Sequence, residues 1–314
     1  MPIDPIAQKM LDDARATGRP NAHLLPVDTA RANFEATFGA LAKPDVAQTV
    51  EVLIPTRDGD KIRGRVYRPV ASAELPLTVY YHGGGWLLGS IDSHDVATRR
   101  LALSSGSAVL SVDYRRGPEH RFPTAVYDAI DALQWARSGA SGLQALGIDL
   151  RRVAVAGDSA GGNLAGAVAI DDRDAGSLPP LRHQLLVYPS TTCDLTIGFD
   201  DDYEGVMLER DELLWHQRNY FDSPEHAADA RASILNAAHH GLPSTTVILA
   251  ECDPIKPQGV RLARALEAAG VDIDTREYPG MIHGFFGLDE IFPVATEAMS
   301  YAGARLASAL GSGT

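Results

Sequence analysis

The sequence predicts an α/β fold, in which a mostly parallel eight-stranded sheet is flanked by helices and covered by a helical cap. Apolar runs of strand length alternate with longer segments of helical periodicity, and this alternation is typical of a parallel sheet with crossover helices. Two segments interrupt the alternation, one at the N-terminus and one between two of the strand-like runs. These interruptions predict the cap.

The first two strand-like runs, 49–54 and 61–67, flank a polar turn at 57–60 that contains Gly59. This arrangement predicts an antiparallel hairpin that opens the sheet. Six further runs predict the parallel strands: 77–81, 108–112, 153–156, 184–188, 246–250 and 272–278. The helical segments between and after them are 95–104, 125–138, 160–170, 258–269 and 296–310. Right-handed crossovers should place these helices on both faces of the sheet.

The sequence contains no internal repeat and no long Gly/Ser linker that would separate independent domains. We therefore expect one integrated domain with a cap in two pieces. The first cap segment is 1–45 and the second is 195–224, while 46–194 and 225–314 form the two parts of the core.

Charge and leader features limit the partners and the location. The chain of 314 residues carries 41 acidic and 28 basic residues, a formal net charge of -13. An acidic surface repels a phosphate backbone, so nucleic acid is not an expected partner. The first residues lack the apolar core of a secretory signal, and no run is long enough to span a bilayer. We expect a cytoplasmic protein without membrane insertion.

The run 153–156 leads directly into the segment GDSAGG at 157–162 and then into a helical pattern. A sharp turn from strand to helix that projects one serine needs glycines two positions before and after it, here Gly157 and Gly161. Ser159 is therefore the predicted nucleophile. The Ala160 N–H lies at the start of the following helix, where it can stabilise a developing oxyanion.

A second glycine-rich segment, HGGGW at 82–86, follows the run 77–81. Consecutive glycines after a strand expose backbone N–H groups, and acyl transfer needs two or three such donors around the oxyanion. We predict that Gly83 and Gly84 join Ala160 in the oxyanion hole, and that His82 is structural. A phosphate-binding loop is disfavoured because no GxGxxG or GK[ST] motif follows.

A serine nucleophile needs a histidine base held by a carboxylate. His283 follows the last strand-like run, on a loop at a strand's C-terminal end, where open parallel sheets form their active sites. Asp253 follows the preceding run, in the chain order serine, acid, histidine. Glu251 remains the alternative acid. The sequence thus predicts a triad of Ser159, Asp253 and His283.

Four motifs in order, HGGGW, GDSAGG, the AspPro pair at 253–254 and HisGlyPhe at 283–285, resemble the hormone-sensitive-lipase-like branch of α/β hydrolases, the family IV microbial carboxylesterases. The segment 112–123 is similar to that family's DYRLAPEH segment, with ArgGly in place of LeuAla. The segment 253–259 departs from the family's DPLRDEG, so the hydrogen bonds of the acid loop should differ. The resemblance implies the α/β-hydrolase fold and adds Trp86, Leu208 and Trp215 as candidates for substrate binding.

Together the motifs predict a serine carboxylesterase that cleaves short- to medium-chain acyl esters through an acyl-enzyme. An acyltransferase would use the same triad, and the sequence does not separate the two. A non-catalytic receptor of this fold is disfavoured because such receptors lack the triad histidine. The chemistry requires no cofactor, and no residues have metal-ligand spacing, so we expect no metal. The expected partner is a small-molecule ester, and a homodimer is compatible with the sequence.

Overall fold

The computed structural model describes residues 2–71 and 74–311. Within these residues the strands are β1 (Gln48–Pro55), β2 (Lys61–Arg68), β3 (Leu75–Tyr81), β4 (Ala108–Asp113), β5 (Ile148–Asp158), β6 (His183–Val187), β7 (Ser244–Ala250) and β8 (Ile273–Tyr278). Over this part of the chain they form one eight-stranded sheet in the order β1-β2-β4-β3-β5-β6-β7-β8. The pairs β1/β2 and β2/β4 are antiparallel, and the other neighbours are parallel. The predicted mostly parallel sheet with an opening hairpin is confirmed.

Helices cover both faces of the sheet. In chain order they are α1 (Pro5–Ala16), α2 (Val27–Phe38), α3 (Asp95–Ser105), α4 (Thr124–Arg137), α5 (Ala160–Asp174), α6 (Arg210–Tyr220), α7 (Pro224–Ala228), α8 (Lys256–Ala268) and α9 (Pro293–Leu310). Successive strand side chains point to opposite faces. Val79 and Tyr81 accordingly pack in one core with α4, α5 and α8, while Tyr80 packs in a second core with α3 and α9.

Strand β5 begins at Ile148, five residues before the run that the sequence predicts. Its N-terminal part contains Arg151 and Arg152, which break the apolar pattern and instead pair with Asp149. The register between β3 and β5 shifts between Pro76 and Leu77. Because charged residues interrupt the apolar pattern near its start, the sequence does not predict the first five residues of this strand.

The two predicted cap segments contribute α1, α2 and α6, together with a short 3-10 helix at Ala22–Leu24 that packs against α6. Ala30 of α2 and Trp215 of α6 share a small apolar cluster with Leu87 and Leu88, which follow β3. This cluster joins both segments to the core beside the loop that carries HGGG. In the part of the chain that the structure describes, no helix is long and apolar enough to cross a bilayer.

Candidate active site

Ser159 lies in the turn between β5 and α5. This turn requires glycine at the positions two residues before and two residues after the serine. Its φ is 55° and its ψ is -119°, a strained conformation that costs about 1–3 kcal/mol for a non-glycine residue. A Cβ on Gly157 would lie 2.2 Å from the carbonyl oxygen of Gly161, and one on Gly161 would lie 2.0 Å from that of Tyr81. The two glycines let β5, α5 and β3 approach closely enough to expose the serine.

The structure brings the three predicted triad residues together. The Ser159 Oγ and His283 Nε2 are 2.9 Å apart, and the His283 Nδ1 and Asp253 Oδ2 are 2.7 Å apart. With the proton on Nδ1, His283 donates to Asp253 and accepts from the serine hydroxyl. Asp253 is fully buried, and its other oxygen accepts from the Ile255 N–H at 2.9 Å. The arrangement has the geometry of a nucleophile, a base and an orienting acid.

The electrostatic surroundings favour a proton on His283. Burial lowers its pKa and is the largest single effect, but the charge and hydrogen bond of Asp253 and the charges of Asp158 and Glu212 together raise it more. The result is a pKa above the ordinary value of 6.5. A buried carboxylate partner of this kind stabilises the imidazolium that forms when the serine loses its proton.

Glu251, the alternative acid, lies away from the histidine. Its Oε2 accepts from the Gly280 N–H at 2.8 Å. That bond ties the end of β7 to the loop that carries His283, because Gly280 lies only three residues before it. Among the described residues, Asp253 is the carboxylate that hydrogen-bonds to the His283 ring.

The glycine-rich loop after β3 requires one change to the predicted oxyanion hole. The Gly83 N–H donates to the buried Asp158 Oδ1 at 3.0 Å, and Gly83 is outside the cavity that Ser159 faces. Gly84 and Gly85 do line this cavity, and their N–H groups have no acceptor among the residues described. The Ala160 N–H is free in the same way. The set of available donors is therefore Gly84, Gly85 and Ala160, with Gly85 in place of Gly83.

Side chains from other motifs fix this loop. Asp158 accepts from the Tyr80 hydroxyl at 2.6 Å as well as from Gly83. His82 is fully buried, and its Nδ1 donates to the Gly83 carbonyl oxygen at 2.8 Å. Tyr114, from the segment 112–123, stacks on His82 and donates to its carbonyl oxygen at 2.8 Å. These contacts fit the structural role predicted for His82.

The acid loop also has its own support where it departs from the family pattern. Gln258 stands at the position of the Glu in DPLRDEG. Its Oε1 accepts from the N–H groups of Thr191 and Thr192 at 2.8 and 3.2 Å. The amide thus joins the start of α8 to the loop that follows β6, on the wall of the cavity.

A cavity of about 400 Å³ opens at Ser159 and His283. Two of the three predicted substrate-binding residues, Trp86 and Leu208, line it. Trp215 is absent from the described wall and packs instead in the cluster with Leu87 and Leu88. The phase of α6 explains this difference, because residues 212, 213, 216 and 217 of the helix face the cavity and residue 215 does not.

Glu212 and His216 also line the cavity, and the sequence motifs do not predict either residue. Partial burial and the nearby charge of Glu209 raise the pKa of Glu212 to about 7, although the charge of His283 lowers it in part. Burial lowers the pKa of His216 to about 4. Their spacing of four residues on a cap helix was the available signal. The described residues include no group of three or more His, Cys, Asp or Glu side chains suited to a metal ion.

Comparisons with known proteins agree with this geometry. A family model described as alpha/beta hydrolase fold matches residues 78–287. Carboxylesterase NlhH from Mycobacterium tuberculosis is 40% identical over 252 residues, 78% of each chain. Ethyl acetate hydrolase from Pseudomonas putida is 38% identical over 288 residues, 88% of each chain. The solved structure of a hyperthermophilic esterase from the archaeon Pyrobaculum calidifontis, 38% identical, superposes with a TM-score of 0.89 over 98% of this chain and 99% of that chain.

Proposed function

Because this chain belongs to the α/β-hydrolase family, in its hormone-sensitive-lipase-like branch, and is a carboxylic ester hydrolase, we propose that Ser159, His283 and Asp253 carry out the hydrolysis. The observation that carries this assignment is the continuous pair of hydrogen bonds from Ser159 through His283 to Asp253, at 2.9 and 2.7 Å. The three residues come from loops after β5, β8 and β7, which end at the same edge of the sheet.

In the proposed reaction, the Ser159 Oγ attacks the ester carbonyl carbon while His283 Nε2 takes the hydroxyl proton. The tetrahedral intermediate collapses as His283 returns that proton to the leaving alcohol, and the acyl group remains on Ser159. A water molecule then attacks the acyl-enzyme and gives one proton to His283. The second tetrahedral intermediate collapses as His283 returns that proton to the Ser159 Oγ, which releases the carboxylic acid and restores the free enzyme. Asp253 remains ionised and holds the histidine in the required tautomer.

The negative oxygen of each tetrahedral intermediate would lie among the N–H groups of Gly84, Gly85 and Ala160. Loss of one such donor typically costs about 3 kcal/mol of transition-state stabilisation. The assignment of Gly85 is supported by its free N–H and its place on the cavity wall, and the exclusion of Gly83 by its bond to Asp158. The φ angles of Gly84 and Gly85 are 113° and 63°, in the region of backbone conformation that favours glycine.

The expected acyl groups are short to medium in length. A volume of about 400 Å³ is near the lower end of the range for small-molecule sites, about 300–1,000 Å³. The wall includes Leu208 and Leu213 of the second cap segment and Phe34 of the first, so the cap limits the depth available to an acyl chain.

The test is hydrolysis of p-nitrophenyl esters from acetate to palmitate, with a chelator present. We expect turnover that is greatest on the short esters and that falls by at least about 10³-fold in both Ser159→Ala and His283→Ala. Asp211→Ala, which removes an exposed carboxylate of α6, is the control and should keep the wild-type rate. Full activity in Ser159→Ala, or no turnover of any ester by the folded wild-type protein, would contradict the assignment.

The division into two cap and two core segments, the cytoplasmic location and the homodimer are further parts of this proposal. The packing of α1, α2 and α6 supports the cap segments. The mass of the protein measured by sedimentation would test the homodimer. Fractionation of the source cells would test the location.

A further inference from the structure

Two polar side chains of α6, Glu212 and His216, line the cavity that contains Ser159. They are four residues apart, so they lie on the same face of the helix. Among the described residues, the Nε2 of the buried His216 has no hydrogen-bond partner. The half-buried Glu212 carboxyl group forms neither a hydrogen bond nor an ion pair with them. The other polar side chain of α6 on this wall, Gln217, is satisfied because its Nε2 donates to the Cys193 carbonyl oxygen at 2.9 Å.

An unsatisfied polar group of this kind is costly. Leaving a buried donor or acceptor without a partner costs about 1–3 kcal/mol, and native proteins keep few such groups. Partial burial and the nearby charge of Glu209 also raise the pKa of Glu212, so its charged form is disfavoured. A ligand group that hydrogen-bonds to the buried His216 Nε2 would recover this free energy, and the half-buried Glu212 carboxyl group offers a second partner on the same face of α6. Glu212 and His216 thus form a polar site on the cavity wall, which a ligand group can reach.

Glu212 and His216 lie close to the reacting centre. The ring of His216 lies against Gly85, because a Cβ on that glycine would be 2.4 Å from the His216 Nδ1. The charge of His283 acts on both Glu212 and His216. A substrate whose carbonyl group lies at Ser159 therefore extends past these two side chains when it fills the cavity.

We propose that Glu212, with His216 beside it, binds a hydroxyl group of the substrate, so that hydroxylated esters are preferred over unsubstituted ones. A hydroxyl group can donate to the Glu212 carboxylate and accept from the Nε2–H tautomer of His216. An ammonium group fits less well, because His283 becomes an imidazolium during the reaction and a second cation nearby would oppose it. This inference rests on the proposed function, and it adds the substrate class.

The test compares kcat/KM for two matched pairs of esters, followed by release of acid in a pH-stat. Ethyl 3-hydroxybutyrate against ethyl butyrate places the hydroxyl in the acyl part, and 2-hydroxyethyl butyrate against propyl butyrate places it in the alcohol part. We expect wild type to prefer the hydroxylated ester in at least one pair. Glu212→Leu should lower that preference about tenfold, which corresponds to a hydrogen bond to a charged group. Glu212→Gln, similar in shape and still an acceptor, should give an intermediate value.

Gln217→Leu is the matched control, since it makes another position on the same wall of α6 apolar but removes a side chain that already has a partner. An equal loss of preference in Gln217→Leu and Glu212→Leu would overturn the inference, because the effect would then be general polarity. If the ratio of kcat/KM for hydroxylated over unsubstituted esters were the same in wild type and Glu212→Leu, the inference would be overturned too. So would a preference for ethyl 4-aminobutyrate that Glu212→Leu abolishes, which would indicate a cation site. If wild type hydrolysed none of the esters, the proposed function would fail and this inference with it.

Discussion

At the scale of single residues, the position of Asp158 shows how one side chain can decide which backbone groups are available for catalysis. It is the residue before the serine in GDSAGG, and it accepts from the Tyr80 hydroxyl and the Gly83 N–H at 2.6 and 3.0 Å. Burial raises its pKa, but the charge and hydrogen bond of His94 and the hydrogen bond of Tyr80 lower it further, so it is ionised. Asp158 is thus a positioning residue for the glycine-rich loop.

We predict that Asp158→Ala lowers kcat by about 10–100-fold with a smaller change in KM. The substitution leaves the Gly83 N–H and the Tyr80 hydroxyl without an acceptor, and the loop that holds Gly84 and Gly85 loses its anchor. Asp158→Asn retains an acceptor oxygen and should recover much of the rate. Steady-state kinetics, with melting temperatures measured in parallel, would check this. A loss in KM alone, or equal rates in the two variants, would refute the positioning role.

The residue scale also shows what the sequence could predict at the site. The sequence predicts Ser159, Asp253 and His283 as the triad because each follows a strand-like run, and because the GxSxG spacing reflects a local steric requirement. The choice among Gly83, Gly84 and Gly85 was beyond the sequence, since it depends on a hydrogen bond to a residue 75 positions away. The sequence does not predict Glu212 and His216, because their place on the cavity wall and the lack of a partner for His216 Nε2 among the described residues depend on tertiary packing.

At the scale of elements, Arg31 provides charged contacts between α2 and the core, beside the apolar packing of Ala30. The Arg31 Nε donates to the Leu87 carbonyl oxygen at 2.8 Å, and its guanidinium forms a two-pronged ion pair with Glu119, at 2.8 Å on each oxygen. Glu119 belongs to the segment 112–123 that resembles DYRLAPEH, and Leu87 follows the glycine-rich loop. Because Ala30 and Phe34 of α2 line the cavity, these bonds connect the cap wall to the catalytic loops.

We predict that Arg31→Ala raises KM about tenfold while kcat changes less, because α2 loosens over the cavity while the triad stays on the core. Charge-assisted hydrogen bonds contribute about 1.5–3 kcal/mol, so the melting temperature should fall as well. Lys9→Ala on α1 removes a cation whose ion pair with Asp13 is exposed, and it should have little effect. A kcat defect with normal KM in Arg31→Ala would argue against a role in the cap wall.

The bounds of some elements follow from the sequence pattern, and those of others depend on tertiary packing. Helix α3 was predicted within one residue of its end, because apolar periodicity and Gly106 mark it. The first part of β5 was missed because Arg151 and Arg152 interrupt its apolar run. The family resemblance implies that Trp215 lines the cavity, but tertiary packing places this tryptophan in the cluster with Leu87 and Leu88.

At the scale of the whole molecule, the charge state of His283 is set by groups from several elements at once. Asp253 follows β7, Asp158 ends β5, and Glu212 lies on α6, and all three raise its pKa against the effect of burial. The neighbouring His216 is kept neutral by its own burial, which lowers its pKa to about 4, so it adds no opposing charge near neutral pH. The sheet brings Asp158 and Asp253 to one edge and the cap helix adds Glu212, so carboxylates that are far apart in the chain act on one histidine.

From the raised pKa of His283 we predict the acid limb of the pH profile of kcat/KM. His283 must be neutral to accept the serine proton, so kcat/KM falls as the pH decreases through its pKa, and a raised pKa places that limb above pH 6.5. Asp253→Asn removes the largest raising effect and leaves burial, so the limb should move to lower pH while the rate drops by about 10³–10⁴-fold. Asp211→Asn, an exposed carboxylate of α6, should leave the limb in place. A wild-type limb below pH 6.5, or one unmoved by Asp253→Asn, would show that Asp253 does not control the charge of the base.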